Sequence, residues 1–136
     1  MFGYAGRILR IDLSTGKTKV SPLSVEYAKK YIGGIGLGMR LLLENSKPGV
    51  DPLSPENPLI LATGPFSGTM APTGGNGHAF VSKSPLTNGV GEAKSHGFFG
   101  SELKRAGYDA VIFENKAEKP VYVWIDDDSV QLMDAK

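Results

Sequence analysis

The side chains best suited to contact an anionic ligand are Lys94, Ser95 and His96, which stand together in a segment rich in glycine. Half of the eighteen glycines lie between Thr63 and Gly100. Glycine has no Cβ, so its N–H and C=O groups approach a ligand closely, and phosphate is a common ligand of such backbone. The segment leads into a predicted helix, whose first N–H groups also favour anions. These residues predict an anion site, although the composition equally allows simple turns in a sheet protein.

Other motifs for catalysis or metal binding are weak or absent in the sequence. The sequence has no cysteine, so this chain by itself builds no disulfide, thiolate metal site or iron–sulfur cluster. His78 and His96 do not have the spacing of a zinc pair. The carboxylates at Asp126–Asp128 are typical of a solvated turn, and neighbours within Ser82–Ser84 point to opposite faces of a strand. The chain is therefore better equipped to hold a cofactor than to catalyse alone.

Size and charge limit the remaining classes of function. A chain of 136 residues suits one domain, and we expect residues 1–136 to form it. The formal net charge of +1, with no basic cluster, argues against nucleic-acid binding. No stretch resembles a secretion signal or a membrane span, which predicts a cytoplasmic protein without membrane contact.

The first half of the chain predicts two strands, two helices and a buried strand. RILRIDL alternates and returns after STGK, which predicts a hairpin. Ser24 should cap a helix over VEYAKKYI, with Val25, Ala28 and Ile32 toward the core. A second helix is predicted from Ile35 or Gly36 to Asn45, and the apolar PLILATG predicts a central strand.

The second half predicts a glycine-rich loop, a helix and three strands. The helix should span Ser101 to Ala106, and AVIFE, PVYVWID and SVQLM should be strands, with SVQLM pairing with PVYVWID across the DDD turn. The order β-β-α-α-β, loop, α-β-β-β predicts an α+β, sheet-rich mixed domain with few short helices. GGIGLG has the glycine spacing of a loose dinucleotide fingerprint, but it follows a predicted helix instead of a strand, which argues against that interpretation.

A family resemblance emerges when the segments are taken in order. GRILRIDLSTG, YIGGIGLG, VDPLSPENPLILATGPFSGTMAPTGG, SKSPLT and HGFFGSELKRAGYDAVIFENKAEKPVYVWI resemble the N-terminal domain of the tungsten-containing aldehyde ferredoxin oxidoreductases. The resemblance covers nearly the whole chain. It implies the first part of that fold, a cofactor-base domain that is incomplete at its C-terminal side.

The resemblance also implies a cofactor and a reaction. Members of this family carry tungsten, or sometimes molybdenum, on two pterins whose phosphates are bridged by magnesium. They oxidise aldehydes to carboxylic acids and pass electrons through a 4Fe–4S cluster to ferredoxin. The cluster's ligands would come from other domains, since this chain has no cysteine. The alternative is a non-catalytic pterin-binding or assembly module derived from the same fold.

The site residues that the resemblance implies fall on two stretches. The first is Gly74, Gly75, Asn76 and Gly77, where the family commonly has an arginine that reaches a pterin phosphate. The second is Lys94, Ser95, His96 and Gly97, where the family has a neutral run and where the backbone carbonyl of Lys94 would meet magnesium. Lys94 would then replace the charge missing at Asn76. His96 either contacts the cofactor, faces the substrate channel or is a satisfied loop histidine, the last being favoured. No catalytic residue is predicted.

Partners follow from the same resemblance. We expect the remaining domains or subunit of the oxidoreductase, and ferredoxin, to bind the chain. An apolar face left unpaired by a missing second half would favour self-association.

Overall fold

The computed structural model describes residues 2–71 and 76–136, which form two sheets and three helices. The strands are β1 (Arg7–Asp12), β2 (Thr18–Pro22), β3 (Leu59–Thr63), β4 (His78–Lys83), β5 (Val90–Ser95), β6 (Ala110–Glu114), β7 (Val121–Asp126) and β8 (Ser129–Asp134), and the helices are α1 (Val25–Tyr31), α2 (Gly34–Asn45) and α3 (Phe99–Arg105). One sheet has the order β2-β1-β6-β3-β4-β5, and β7 pairs with β8. The predicted α+β, sheet-rich class is confirmed.

The core lies on both sides of the three central strands, β1, β6 and β3. Successive residues of a strand point to opposite faces, so each strand contributes to two apolar clusters. Ile60, Ala62 and Ile112 pack under α2, whereas Leu61 and Val111 pack on the opposite face with Leu103 of α3 and the β7–β8 hairpin. Burial on both faces explains why β3 and β6 are nearly uniform in apolar residues.

The first two helices cover one face of the sheet. Tyr27 N–H donates to Ser24 Oγ at 3.0 Å, which confirms the predicted cap. The prediction that Val25 and Ile32 face the core is wrong, because they are 56% and 60% exposed and only Ala28 of that set is buried. Tyr27 and Tyr31 of the same helix pack against this cluster while partly buried.

Helix α2 approaches β4 closely through a glycine. A Cβ built on Gly38 would lie 2.6 Å from Cγ2 of Val81, well inside van der Waals contact. The segment GGIGLG therefore has a packing function, in agreement with the rejection of a dinucleotide fingerprint.

The segment predicted as one long loop contains a β-hairpin, which corrects the predicted element order. β4 pairs with β3 and β5 in antiparallel register. The buried Ala79 and Val81 alternate with more exposed neighbours along β4, a signal that the glycines around it obscured. Tertiary pairing with β3 overrides the low strand propensity of the segment.

The end of the central sheet is tied to the N-terminal segment by a buried carboxylate. Asp109 accepts hydrogen bonds from the N–H groups of Ala5 at 3.1 Å and Gly6 at 2.6 Å. It also pairs with Lys104 of α3, and both side chains are more than nine-tenths buried. This network fixes α3 against the strands that it covers.

The β7–β8 hairpin is confirmed, and its acidic turn is solvated as predicted. Asp127 has a φ of 51°, and Asp128 forms an exposed ion pair with Arg7. Among the described residues, no helix has the length and apolar character needed to cross a membrane.

Candidate functional site

A groove of about 240 Å³ lies at the end of the sheet where β3 and β5 finish and β4 begins. The junction between α1 and α2 closes its other side. The lining residues are Ile32, Gly33, Gly34, Ile35, Gly64, Pro65, Gly77, His78, Ala79, Lys94, Ser95 and His96. Four of the eight residues predicted to bind a cofactor therefore meet in one groove: Gly77, Lys94, Ser95 and His96.

Close backbone packing between the helix junction and the end of β3 forms one wall. A Cβ on Gly33 would lie 2.6 Å from the carbonyl oxygen of Thr63 and 2.8 Å from the Cα of Gly64. Gly34 follows with a φ of +51°, a conformation that glycine adopts readily. Only residues without a side chain at position 33 permit this wall, so its shape depends on Gly33.

Lys94 provides positive charge at the groove. It pairs with Ala79 across β4 and β5, and opposite residues of an antiparallel pair have side chains on the same face. Ala79 and Lys94 both line the groove, and Lys94 is exposed. None of the ion pairs between described residues involves Lys94. Its ammonium is therefore available to an anionic ligand.

The backbone of Lys94 faces the open edge of the sheet. Ser84 N–H donates to Gly89 C=O at 2.8 Å, so these two residues face each other across the hairpin. Backbone groups alternate in direction along a strand, which turns the N–H and C=O of Val90, Glu92 and Lys94 away from β4. The carbonyl that the resemblance assigns to magnesium is thus directed outward.

His96 lies over Gly77 at the rim of the groove. A Cβ on Gly77 would be 3.5 Å from Nδ1 of His96, so the imidazole occupies space beside a bare backbone. His96 is exposed, and no described residue forms a hydrogen bond with its ring. The favoured prediction of a satisfied loop histidine is not tested by the described contacts.

His78 is a groove residue that sequence reasoning did not select. It is 7% exposed, and its Nδ1 has no hydrogen-bond partner among the described residues. Its ring lies 5.9 Å from that of Phe80 and 5.0 Å from that of Phe99, centroid to centroid, on the α3 side of the sheet. Its position at the start of an alternating strand was the signal that would have found it.

Asn76 and Gly97, the remaining described residues of the predicted site, are not among the residues that line the groove. Asn76 accepts a hydrogen bond from Ser101 Oγ, so its side chain is held by α3. A Cβ on Gly100 would lie 3.0 Å from Asn76 O, which shows how closely α3 packs there. Gly97 has a φ of +99° and is not among the lining residues. Gly74 and Gly75 lie outside the described residues.

Two walls of the groove were missed by sequence reasoning: the Ile32–Ile35 junction and Gly64–Pro65. Both contain glycine next to the end of a predicted element, which is a weak signal, and they are distant in sequence from Lys94. The rejected serine–lysine dyad is separated as expected, since Ser82 donates to Pro58 O at 2.9 Å and Lys83 to Val50 O at 2.5 Å.

The groove has a chemistry suited to part of an anionic ligand. Its glycine backbone allows close approach, its isoleucines and proline supply apolar surface, and Lys94 supplies charge. Within residues 2–71 and 76–136, no group of three or more His, Asp or Glu side chains is arranged to hold a metal ion. A metal at this site would therefore depend on backbone and ligand atoms.

Comparison with known sequences gives a consistent family. The family model described as aldehyde ferredoxin oxidoreductase, N-terminal domain, matches residues 8–136. The chain is 54% identical over 135 residues to the tungsten-containing aldehyde ferredoxin oxidoreductase of Pyrococcus furiosus, covering 99% of this chain and 22% of that protein. It is 42% identical over 138 residues to the aliphatic sulfonate oxidoreductase, WOR-like subunit, of the same organism, again covering 99% and 22%.

A solved structure has the same fold. The active site complex BamBC of benzoyl coenzyme A reductase, determined with 1,5-dienoyl-CoA, matches with a TM-score of 0.93 and 36% identity. The match covers 98% of this chain and 20% of that one. The chain thus spans about a fifth of the length of the relatives that it matches.

Proposed function

This chain belongs to the aldehyde ferredoxin oxidoreductase family and matches its N-terminal domain, and from that premise we propose that its groove holds a phosphate-bearing end of a tungsten–pterin cofactor. One observation carries the proposal: a lysine without an ion-pair partner among described residues lines a glycine-walled groove. Lys94 is also one of the residues that the family resemblance assigns to the cofactor.

The residues present fit a pterin phosphate. The ammonium of Lys94 would neutralise phosphate charge, and Gly64 and Gly77 leave the backbone accessible to its oxygens. Ile32 and Ile35 add apolar surface that limits water around the bound group. The groove of about 240 Å³ accommodates a part of the cofactor, so other polypeptide would hold the rest.

A magnesium ion between phosphates would use the outward carbonyl of Lys94. That atom requires no particular side chain, which explains how lysine stands where the family commonly has a neutral residue. Molybdenum in place of tungsten would leave these protein contacts unchanged, because they concern phosphate and magnesium only.

The complete enzyme, in this proposal, oxidises aldehydes to carboxylic acids. The bound tungsten–pterin group supplies the two-electron redox chemistry. This chain has no cysteine, so a 4Fe–4S cluster that passes electrons to ferredoxin would be held by other domains. The chain alone would be inactive. A cytoplasmic location belongs to the same proposal.

The proposal predicts that Lys94→Met lowers cofactor retention in the enzyme assembled from this chain and its remaining domains. Loss of the only side-chain charge assigned to the phosphate should reduce tungsten and pterin per polypeptide several-fold, because charged hydrogen bonds to phosphate are strong. Metal analysis and pterin fluorescence measure this. Lys116→Met is the matched control, since Lys116 is also exposed and lies outside the groove.

The measured tungsten, pterin and aldehyde oxidation distinguish a failure of the role given to Lys94 from a non-catalytic function of the protein. Equal tungsten and pterin in Lys94→Met, Lys116→Met and the unmodified enzyme would refute the role of Lys94. An assembled protein that retains pterin yet oxidises no aldehyde would favour the non-catalytic binding or assembly module.

A further inference from the structure

The junction between α1 and α2 contains a strained turn at the groove. Ile32 has a φ of 64° and a ψ of -71°, and the N–H of Gly33 donates to the C=O of Tyr31 at 2.7 Å. These values define a γ-turn whose central φ is positive, a rare and strained conformation. The other non-glycine residues with positive φ in the described chain are asparagine or aspartate, which tolerate that region better than a β-branched residue does. Contacts from elsewhere must therefore hold Ile32 in place.

Tyr4 supplies such a contact from the N-terminal segment. Its hydroxyl lies 2.8 Å from the carbonyl oxygen of Ile32 and 3.1 Å from that of Ala28. Among the described residues, no other group donates a hydrogen bond to the carbonyl of Ile32. Burial, and then the Asp109 carboxylate, raise the pKa of Tyr4 above its ordinary value, so the hydroxyl keeps the proton that it donates. Tyr4 thus fixes the end of α1 where the chain enters the groove.

The backbone next to Tyr4 packs against Pro65, which also lines the groove. A Cβ built on Gly3 would lie 2.6 Å from the carbonyl oxygen of Pro65, so the two segments are in close contact. The Nζ of Lys104 donates to the C=O of Gly3 at 2.7 Å, which ties the same segment to α3. Through this backbone and its own hydroxyl, Tyr4 connects Pro65 with Ile32, two lining residues that are distant in sequence.

We propose that Tyr4 is a positioning residue for the cofactor, which holds the strained turn at Ile32 and thereby fixes one wall of the groove. The inference rests on the proposed function, because it concerns the same groove. Tyr4 is not among the lining residues, so it acts through the backbone of the turn and not by contact with the ligand. Without its hydroxyl the turn relaxes in the empty enzyme, and part of the binding free energy is then spent on restoring it.

Tyr4→Phe tests this role in the enzyme assembled from this chain and its remaining domains. The change removes the hydroxyl and keeps the ring, which packs against the apolar cluster under α2. Retained tungsten and pterin per polypeptide should fall about fivefold, the effect of one lost hydrogen bond. Tyr122→Phe is the matched control, because it removes the same atom from an exposed tyrosine outside the groove. Its tungsten and pterin should equal those of the unmodified enzyme.

Hydrogen exchange reports on the turn in the absence of cofactor. In enzyme prepared without tungsten, the peptide that covers residues 32–35 should exchange faster in Tyr4→Phe than in Tyr122→Phe, because the N–H of Gly33 loses its fixed acceptor. Mass spectrometry of the exchanged peptides measures this, and circular dichroism verifies that each variant is folded. Equal exchange in the two variants would overturn the proposal.

Ile32→Gly distinguishes the support of a strained turn from a general contribution to stability. Glycine adopts a positive φ without strain, so the turn then needs less support from Tyr4. Tyr4→Phe should lower tungsten retention about fivefold beside Ile32, but less than about twofold in the Ile32→Gly background. The same loss in both backgrounds would mean that Tyr4 does not act through the turn, and the proposal would be wrong.

Lys94→Met identifies which of the two proposals fails. If Lys94→Met lowers tungsten and pterin while Tyr4→Phe retains both fully, the proposed function stands and the role given to Tyr4 is overturned. If neither variant loses cofactor, the groove does not hold it, and both proposals are overturned.

Discussion

The central strands and the β4–β5 hairpin belong to one sheet but are built from different residues. β1, β3 and β6 bury apolar side chains on both faces. β5 has glycine, charged and small residues, and it is exposed on both faces. The centre therefore carries the stability, whereas the hairpin presents a lysine, a histidine and free backbone to a groove.

This division has a physical reason. A ligand that contacts backbone needs positions without large side chains, and such positions contribute little to a hydrophobic core. The hairpin stays ordered because its first strand, β4, is paired with a strand of the centre and packs against α2. One rigid strand thus links the core to the proposed binding surface.

The largest loss of stability is expected when a side chain of the central strands is truncated. Ile60→Ala removes a fully buried side chain and should lower the free energy of unfolding by about 2–5 kcal/mol. Chemical denaturation measures the loss. The matched change in the hairpin, Val90→Ala, removes a side chain that is 44% exposed and should cost less than about 1 kcal/mol. Equal losses of unfolding free energy at the two positions would contradict the conclusion that the central strands carry most of the stability.

A smaller effect is expected where the two regions meet at the groove. Gly33→Ala places a Cβ against the carbonyl of Thr63 and should cost about 1–3 kcal/mol while distorting one groove wall. Gly64→Ala is the control, because a Cβ there meets no atom of the described residues within 4 Å. Its free energy of unfolding should change by less than about 0.5 kcal/mol. A Gly33→Ala chain as stable as Gly64→Ala would show that the wall adapts.

The smallest effect concerns pH at the end of β1. Hydrogen bonds from the Ser14 hydroxyl, and then from Asn115, lower the pKa of Asp12 below its ordinary value. A lowered folded-state pKa stabilises the protein above the unfolded pKa, and this contribution is lost as the pH falls through the folded value. As the pH is lowered from about 6 to about 2, the melting temperature of the unmodified chain should therefore fall more steeply than that of Asp12→Asn. The same dependence of melting temperature on pH in the two chains would contradict a stabilising role for the Asp12 carboxylate.

Much of the fold was predictable because the alternation of apolar residues in strands and the capping of a helix depend on residues close together in sequence. The β1–β2 hairpin, the Ser24 cap and the β7–β8 hairpin are confirmed near their predicted bounds. Strands β4 and β5 were not predicted, since glycine has low strand propensity and their pairing is decided by β3.

The candidate site was predictable in part. Gly77 and the run Lys94–His96 meet because β4 and β5 pair, whereas Asn76 is held by Ser101 of α3. The walls at Ile32–Ile35 and Gly64–Pro65 come from distant segments, and no local pattern brings such segments together. Helix packing against the sheet creates the groove, and that is a tertiary effect.

The central claim is that the groove beside Lys94 holds the phosphate end of a tungsten–pterin cofactor. A crystal structure of the loaded enzyme that contains this chain, with anomalous maps at a tungsten absorption edge to locate the metal, tests it most directly. We expect tungsten at the groove end of the sheet and a pterin phosphate in contact with Lys94. Tungsten at the opposite end of the sheet, or a phosphate with no contact to the groove, would contradict it.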